Sequence, residues 1–242
     1  MKLDDAKIIE QLAPDGVIRI AINFGNSVLA QPRDNGKKGT GVSVAIATQL
    51  AKDLELDYEL IFYDSAGRVF DDVENDRWRI AFLAQDPVRA EKLAFTDPYV
   101  LIEGTYLVPE TSSFFSIDDL DVTGHRITVG KGAVYDLFLT RSIKLAELVR
   151  AETTEGAIHL FAAEQLTAAA GIREGLQKYS ATHAGYRVLD DAFLEIRQSM
   201  VAHKNHSAAA EFLNKYLAEL KQTDLIRDAL VDSEMPTSLA AP

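Results

Sequence analysis

The sequence of 242 residues contains no cysteine and is short of basic side chains. Without cysteine the chain has no disulfide, no thiol nucleophile and no cysteine-ligated zinc site. Its 25 lysines and arginines stand against 37 aspartates and glutamates, which gives a formal net charge of −12. Because nucleic-acid affinity depends on neutralising phosphates with basic residues, we expect no nucleic-acid partner.

Long apolar runs are also missing. No stretch approaches the roughly 20 consecutive apolar residues that a membrane-spanning helix needs, so we expect no membrane insertion. The segment from Met1 to Glu10 lacks the apolar core of a signal peptide, so the chain either stays inside the cell or is a mature form with a start methionine added. Hydrophobic residues make up 47% of the chain, enough to form the core of one large or two small domains.

The first half of the chain alternates apolar strands with amphipathic helices. The pattern predicts a short helix ending at Leu12, then strands over 17–22, 58–63 and 78–84, with helices over 42–54 and 65–75. A polar loop that reaches Gly39 follows the first strand. Connections this short imply a parallel sheet with right-handed crossovers. Ligands bind outside the carboxyl ends of such strands, which makes Asn23, Phe24 and residues 85–89 candidate contacts.

The second half repeats the alternation. It predicts strands over 126–129, 147–150 and 166–170, helices from Gly132-Ala133 to 144 and over 154–164, 207–221 and 223–231, and a loose tail over 235–242. Gly132 and Ala133 lie where a strand meets a helix N-terminus, and unpaired N–H groups there attract anions. The fold class is therefore α/β, built from two successive strand–helix–strand units.

One segment resembles a known family. Residues 86–99 read Asp86-Pro-Val-Arg-Ala-Glu-Lys-Leu-Ala-Phe-Thr-Asp-Pro-Tyr99, similar to the family 3 periplasmic solute-binding proteins of amino-acid ABC transporters. The resemblance implies a two-lobed type 2 periplasmic-binding-protein fold in which each lobe holds a mostly parallel sheet. Lobe 1 would take 1–103 and 193–242, lobe 2 would take 108–188, and hinge strands would lie near 104–107 and 189–192.

The resemblance also assigns site residues. Arg89 matches the family arginine that holds the ligand carboxylate, and a guanidinium suits that role because it presents a planar fork of donors. Backbone donors at Gly132 and Ala133 would add to the grip from lobe 2, and Ala84 and Gly171 complete the expected contacts. The alternative for Arg89 is a surface ion pair with a neighbouring carboxylate.

The sequence departs from the family at the ligand's ammonium partner. Residues 165–173 contain no acid, whereas the family has aspartates there. Either the ligand lacks an amine, or Asp86 supplies the charge, or Asp86 only braces Arg89. Glu103 and Tyr106, near the first hinge strand, are further candidates for the cleft.

The expected function is a receptor that captures a small carboxylate-bearing solute for ABC-type uptake, with a permease as partner and with no cofactor or metal. The resemblance implies a periplasmic location, while the absence of a signal peptide leaves the cytoplasm open. The alternatives are an enzyme similar to cyclohexadienyl dehydratase, with Asp86 or Glu103 as general acid, and a cytoplasmic sensory or orphan binding domain. Histidines and serines lie in none of the usual metal or nucleophile motifs.

Overall fold

The computed structural model describes residues 6–242, and the chain divides into two compact units. Unit 1 comprises the chain up to Leu101 together with Arg197–Pro242, and unit 2 comprises Ile102–Ile196. Both units combine helices with β-strands, which confirms the α/β class. The helix predicted to end at Leu12 is present, and residues 1–5, before it, lie outside the described residues.

The secondary structure alternates for most of the chain. The strands are β1 (Val17–Asn23), β2 (Gln31–Arg33), β3 (Lys38–Thr40), β4 (Asp57–Tyr63), β5 (Ile80–Ala84), β6 (Leu93–Pro109), β7 (Arg126–Gly130), β8 (Glu147–Ala151), β9 (Ala168–Ile172), β10 (Tyr186–Val188) and β11 (Leu194–His203). The helices are α1 (Ala6–Leu12), α2 (Val42–Asp53), α3 (Ala66–Asp71), α4 (Val134–Ser142), α5 (Thr154–Glu164), α6 (Arg173–Thr182), α7 (Ser207–Leu220) and α8 (Leu225–Asp232). No helix within 6–242 has both the length and the apolar character to cross a bilayer.

The sheet of unit 1 is parallel at its centre. β1 pairs in parallel with β4 on one side and β5 on the other, and β11 pairs antiparallel with β5. All five residues of β5 are buried, as expected for a strand covered on both faces. Trp78 is fully buried and donates its indole N–H to the Val69 carbonyl at 3.1 Å, which satisfies the polar atom of the largest core side chain.

A short hairpin, β2–β3, replaces the polar loop expected before Gly39. Its turn uses positive φ at Asn35 and Gly36, a conformation these residues tolerate. A Cβ on Gly39 would lie 3.1 Å from ring carbons of both Phe24 and Phe62, so the absence of a side chain lets the hairpin lie against those rings. The hydrophobic pattern misses this element because its strands are polar and only three residues long.

Unit 2 has a parallel centre with an antiparallel flank. β7 pairs in parallel with β8 and β9, while β6 runs antiparallel to β9 and to β10. The sequence of β9 is Ala-Ala-Ala-Gly-Ile, and every residue of it is buried. The strand lies two residues later than predicted and leads directly into α6, a helix that the sequence pattern missed because only Leu176 on it is buried.

Residues 189–192, predicted as the second hinge strand, do not form a strand, and their role as a hinge stays a prediction. These residues form an irregular loop between β10 and β11. Their backbone carbonyls accept side-chain hydrogen bonds instead of strand hydrogen bonds: Thr105 Oγ1 donates to Asp191 at 2.6 Å, and Arg173 Nη1 donates to Leu189 at 2.9 Å. The first predicted segment, 104–107, does lie in a strand, inside the long β6.

The prediction of a loose C-terminal tail is also wrong. Ala240 forms an antiparallel bridge with Val100, and the Ala241 N–H donates to the Tyr99 carbonyl at 3.0 Å. Ala241 is buried. The tail is ordered because it completes backbone hydrogen bonds on β6, a long-range pairing that a low-periodicity sequence does not reveal.

Candidate functional site

Arg89 lies in the turn that follows β5, at the carboxyl end of the unit 1 sheet. It is 1% exposed, and its Nη1 donates to the Ala84 carbonyl at 3.0 Å. Ala84 is the last residue of β5, so the strand end itself positions the guanidinium. A buried arginine at this edge is uncommon, because arginine is almost never fully buried unless it is paired.

Asp86 shapes the same turn. Its Oδ1 accepts the Val88 N–H at 2.9 Å, and its carbonyl accepts the Ala90 N–H at 2.9 Å, so the residue closes the loop that carries Arg89. Asp86 is itself buried. This geometry gives Asp86 a bracing role whether or not it also meets a ligand.

Burial governs the electrostatics of Arg89. Burial lowers the pKa of Arg89 to about 10, and the nearby charge of Asp86 acts in the opposite direction. The side chain is therefore a cation at neutral pH. Since the lowered pKa means that the protein compensates the buried charge only in part, a bound anion would stabilise it further.

Asn23 and Phe24 end β1 at the same edge of the sheet. The Asn23 Oδ1 accepts the Gly25 N–H at 2.8 Å, which fixes the turn. The Phe24 ring stacks on Phe62, with centroids 4.7 Å apart. Both rings line a cavity of about 590 Å³ within unit 1, whose polar lining includes Arg68 and Asp72. The structure thus gives Phe24 both a packing partner and an open face.

Gly132 and Ala133 lie at the start of α4, as expected, but their amides have partners in unit 2. The Gly132 N–H donates to Asp136 Oδ2 at 2.9 Å, and the Ala133 N–H donates to the Gly130 carbonyl at 3.0 Å. Asp136 is buried and also accepts from Arg150 Nε at 3.0 Å. The carboxylate of Asp136 therefore already accepts the Gly132 N–H at the start of this helix.

The role of Asp136 was not predicted from the sequence. An acidic residue at the third position of a helix reaches back to cap the residues before it, and Asp136 stands three residues after Ala133, so the signal was present.

Gly171 lies inside β9. A Cβ at this position would come within 2.9 Å of Leu176 Cδ2, so close packing of α6 on the strand accounts for the glycine. Its contact with a ligand stays a prediction.

The acids nearest to the first predicted hinge segment belong to an arginine network. Glu103 Oε2 accepts from Arg173 Nε at 2.6 Å, and Arg173 also donates to the Asp190 carbonyl at 2.8 Å. Glu174, one residue beyond the region found to lack acids, is half-buried, and burial raises its pKa. Tyr106 packs on Phe193, with centroids 4.8 Å apart, and burial raises its pKa too.

Three solved structures share this fold over nearly their whole length. A solute receptor for L-cysteine of Neisseria gonorrhoeae is 20% identical with a TM-score of 0.81, and the match covers 95% of this chain and 93% of that one. An amino-acid ABC transporter substrate-binding protein of Streptococcus pneumoniae, bound to L-arginine, is 18% identical with a TM-score of 0.79, over 97% and 99%. An ancestral amino-acid-binding protein, a precursor of cyclohexadienyl dehydratase, is 18% identical with a TM-score of 0.77, over 93% and 98%.

Identities this low establish the fold and not the ligand. A comparison with curated proteins found no significant match to the chain. The comparison with family models shows more than the fold, since residues 23–230 match the bacterial extracellular solute-binding proteins, family 3. That span includes the turn of Arg89 and the elements of both units from the end of β1 into α8. The chain therefore belongs to the bacterial extracellular solute-binding proteins of family 3.

Proposed function

We propose that this solute-binding receptor captures a small molecule with a carboxylate group and that Arg89 binds the carboxylate. The observation that carries the proposal is the buried guanidinium at the carboxyl end of β5, held by Ala84 and lying beside Asp86. Hydrogen bonds between arginine and carboxylate are about twice as strong as neutral ones, and they are stronger again where water is excluded.

The ligand class within the carboxylates is an amino acid or a related organic acid. Two of the similar structures are of proteins described as receptors or complexes of L-cysteine and L-arginine, which supports an amino acid. The amine would need a carboxylate partner, because a buried unpaired ammonium is strongly disfavoured. Asp86 is one candidate partner. If Asp86 only braces the turn, the proposal favours a ligand without an amine.

The biological role that fits is delivery of the solute to an ABC-type permease outside the cytoplasm. The family's extracellular description supports that location. In this role, the liganded receptor is the species that the permease recognises, so the ligand must bind the recognised conformation more tightly than the alternatives.

The test is a thermal-shift screen over amino acids and organic acids. A ligand at about 100 times its dissociation constant adds about 2.7 kcal/mol, which for a chain of this size raises Tm by roughly 5–10 °C. In Arg89→Met we expect the shift to disappear, and in Arg89→Lys we expect it to shrink, because lysine keeps the charge but loses the planar fork.

The control variant is Arg79→Met, which removes a mostly buried arginine that pairs with Asp76 at 2.7 Å in the same unit. It should keep the full ligand shift. Circular dichroism checks that each variant is folded. Hits that retain wild-type affinity in folded Arg89→Met would refute the assignment of Arg89. Comparing amino acids with their deaminated analogues, in wild type and in Asp86→Asn, then decides whether Asp86 meets an amine.

A catalytic role is the second candidate, and one comparison favours it: the ancestral relative is described as a precursor of cyclohexadienyl dehydratase. Dehydration needs a general acid. Of the two acids proposed for it, Asp86 accepts a backbone N–H and Glu103 accepts from Arg173, engagements that support binding over catalysis. Incubation with prephenate and arogenate, followed by chromatography, tests this role directly. Turnover abolished by Asp86→Asn or Glu103→Gln would establish the enzyme.

A further inference from the structure

Unit 2 contains a second cavity that the solute-binding role does not use. Its volume is about 300 Å³, at the lower end of the range on the order of 300–1,000 Å³ that is typical of small-molecule sites. The lining includes Pro109, Phe161, Gln165, Leu166, Gly185 and Tyr186.

The cavity lies at the end of the sheet opposite to the predicted solute contacts of unit 2. Gln165 and Leu166 come just before β9 begins, whereas Gly132 and Gly171 come at or after the carboxyl ends of parallel strands. On the other side, Tyr186 opens β10 and pairs with Pro109 at the end of β6. Because β9 separates the two groups of residues, a ligand here would occupy a different place from the transported solute.

Aromatic rings form the apolar wall. The ring centroids of Phe161 and Tyr186 are 5.4 Å apart with the rings tilted by 58°, and those of Tyr186 and Tyr179 are 5.8 Å apart. Phe161 is buried in the core cluster of unit 2, and Tyr186 packs against that cluster while staying partly exposed. Such rings bind flat partners by stacking or edge-to-face contact.

The polar part of the lining is small and uncharged. Among the described residues that line the cavity, none carries a charge, and the side-chain polar groups are the Gln165 amide and the Tyr186 hydroxyl. An amide offers donors and an acceptor side by side. It therefore pairs best with a neutral group that presents the complementary donor and acceptor.

The backbone of Gln165 is in a defined cap conformation. The residue ends α5 in the left-handed conformation, with φ 51° and ψ 46°, where its N–H donates to the Phe161 carbonyl. Glycine is the usual residue at this position because other residues pay a steric cost there. This backbone conformation fixes the point from which the Gln165 side chain lines the cavity.

We propose that this cavity binds a neutral planar ring that carries an amide-like edge, such as a pyrimidine base or an aromatic carboxamide. The ring packs against Tyr186, whose own ring contacts the buried Phe161, and the Gln165 amide pairs with the polar edge of the ligand. The site shares no residue with the proposed carboxylate site of Arg89 and does not depend on it.

The experiment is a titration of the full chain with nicotinamide and with uracil, followed by two-dimensional NMR of backbone and side-chain amides. We expect saturable shifts centred on the Gln165 side chain and on residues 184–186. Cyclohexanecarboxamide, which has the same amide on a puckered ring, should bind at least about tenfold more weakly than nicotinamide, a difference of about 1.4 kcal/mol.

The decisive variant is Gln165→Gly, which removes the amide and relieves the backbone at once. We expect it to raise Tm by a few degrees and to weaken nicotinamide binding at least about tenfold. The matched control is Glu55→Gly: Glu55 follows α2 with φ 54°, so the variant should raise Tm similarly and leave binding unchanged.

Three results would overturn the proposal: no saturable shift with either probe at millimolar concentration, equal affinity for the puckered analogue, or undiminished binding by Gln165→Gly. Tyr186→Leu gives a second check, because it keeps an apolar side chain but removes the ring. It should weaken nicotinamide binding while the response to the transported solute is retained.

Discussion

At the scale of single residues, Asp136 organises the start of α4. Its carboxylate is buried, accepts the Gly132 N–H and pairs with Arg150 at 3.0 Å. We predict that Asp136→Ala lowers the free energy of unfolding by about 1–3 kcal/mol, because both partners lose their acceptor while Arg150 regains some water. Urea denaturation followed by circular dichroism measures the loss.

The control for Asp136 is an exposed ion pair in the same unit. Glu152 pairs with Lys131 at 3.4 Å, and both side chains are well exposed. Glu152→Ala should cost no more than about 1 kcal/mol. Equal losses in the two variants would show that Asp136 does not stabilise the helix start.

At the scale of elements, the join between β9 and α6 depends on a glycine. A Cβ on Gly171 would lie 2.9 Å from Leu176 Cδ2, whereas a Cβ on Gly175, inside α6, would meet nothing within 4 Å. We predict that Gly171→Ala destabilises the protein by about 1–3 kcal/mol through overpacking. Gly175→Ala should stabilise it by roughly 0.5–1 kcal/mol through helix propensity.

Thermal unfolding of the two alanine variants distinguishes packing from backbone effects. If packing against Leu176 is the cause, Gly171→Ala combined with Leu176→Ala should cost less than the sum of the single changes. Strict additivity would rule out that contact as the reason for the glycine. Ligand titration of Gly171→Ala separately tests the predicted contact with solute.

At the scale of the whole molecule, a histidine pair makes stability depend on pH. His203 and His206 have ring centroids 5.3 Å apart, and His203 Nε2 lies 3.2 Å from the Trp78 carbonyl. Burial lowers the pKa of His203, partly offset by that carbonyl and by Asp76 and augmented by Arg79. Burial also lowers the pKa of His206, with repulsion from His203 and Arg79 adding to it and Asp76 opposing it.

The sign of the effect follows from those directions. A histidine whose pKa is lowered in the folded state binds fewer protons than in the unfolded state, so stability falls as pH decreases below about 6.5. We predict a declining free energy of unfolding between pH 7 and pH 5, and a flatter profile in the double variant His203→Gln, His206→Gln. Urea denaturation across that range measures it.

The exposed His159 provides the control, since His159→Gln should leave the slope unchanged. Burial raises the pKa of Glu174, and this group favours the folded state at low pH, the opposite sense. The difference between wild type and the double variant isolates the histidine contribution. A slope that persists in the double variant would assign the pH dependence to other groups.

Local sequence predicted the alternation of the main strands and helices, although it missed the β2–β3 hairpin and α6. Apolar periodicity predicts the strands near 17, 58 and 80 and the helices between them. In the turn that carries Arg89, the Val88 N–H donates to the side chain of Asp86, two residues earlier. Such features depend on neighbours that are close along the chain, so the residue pattern contains the information. The family resemblance carried by the same turn rests on the same short segment.

Long-range pairing depended on the folded chain. Three features join residues that are from about 15 to 140 positions apart: the Ala241–Tyr99 hydrogen bond, the hydrogen bond of Arg173 to Leu189, and the cavity beside Gln165. A hydrophobic pattern records which residues are buried but not which polar groups meet once they are. Backbone amides and carbonyls are the same in every residue, so their partners become defined only when folding brings distant segments together.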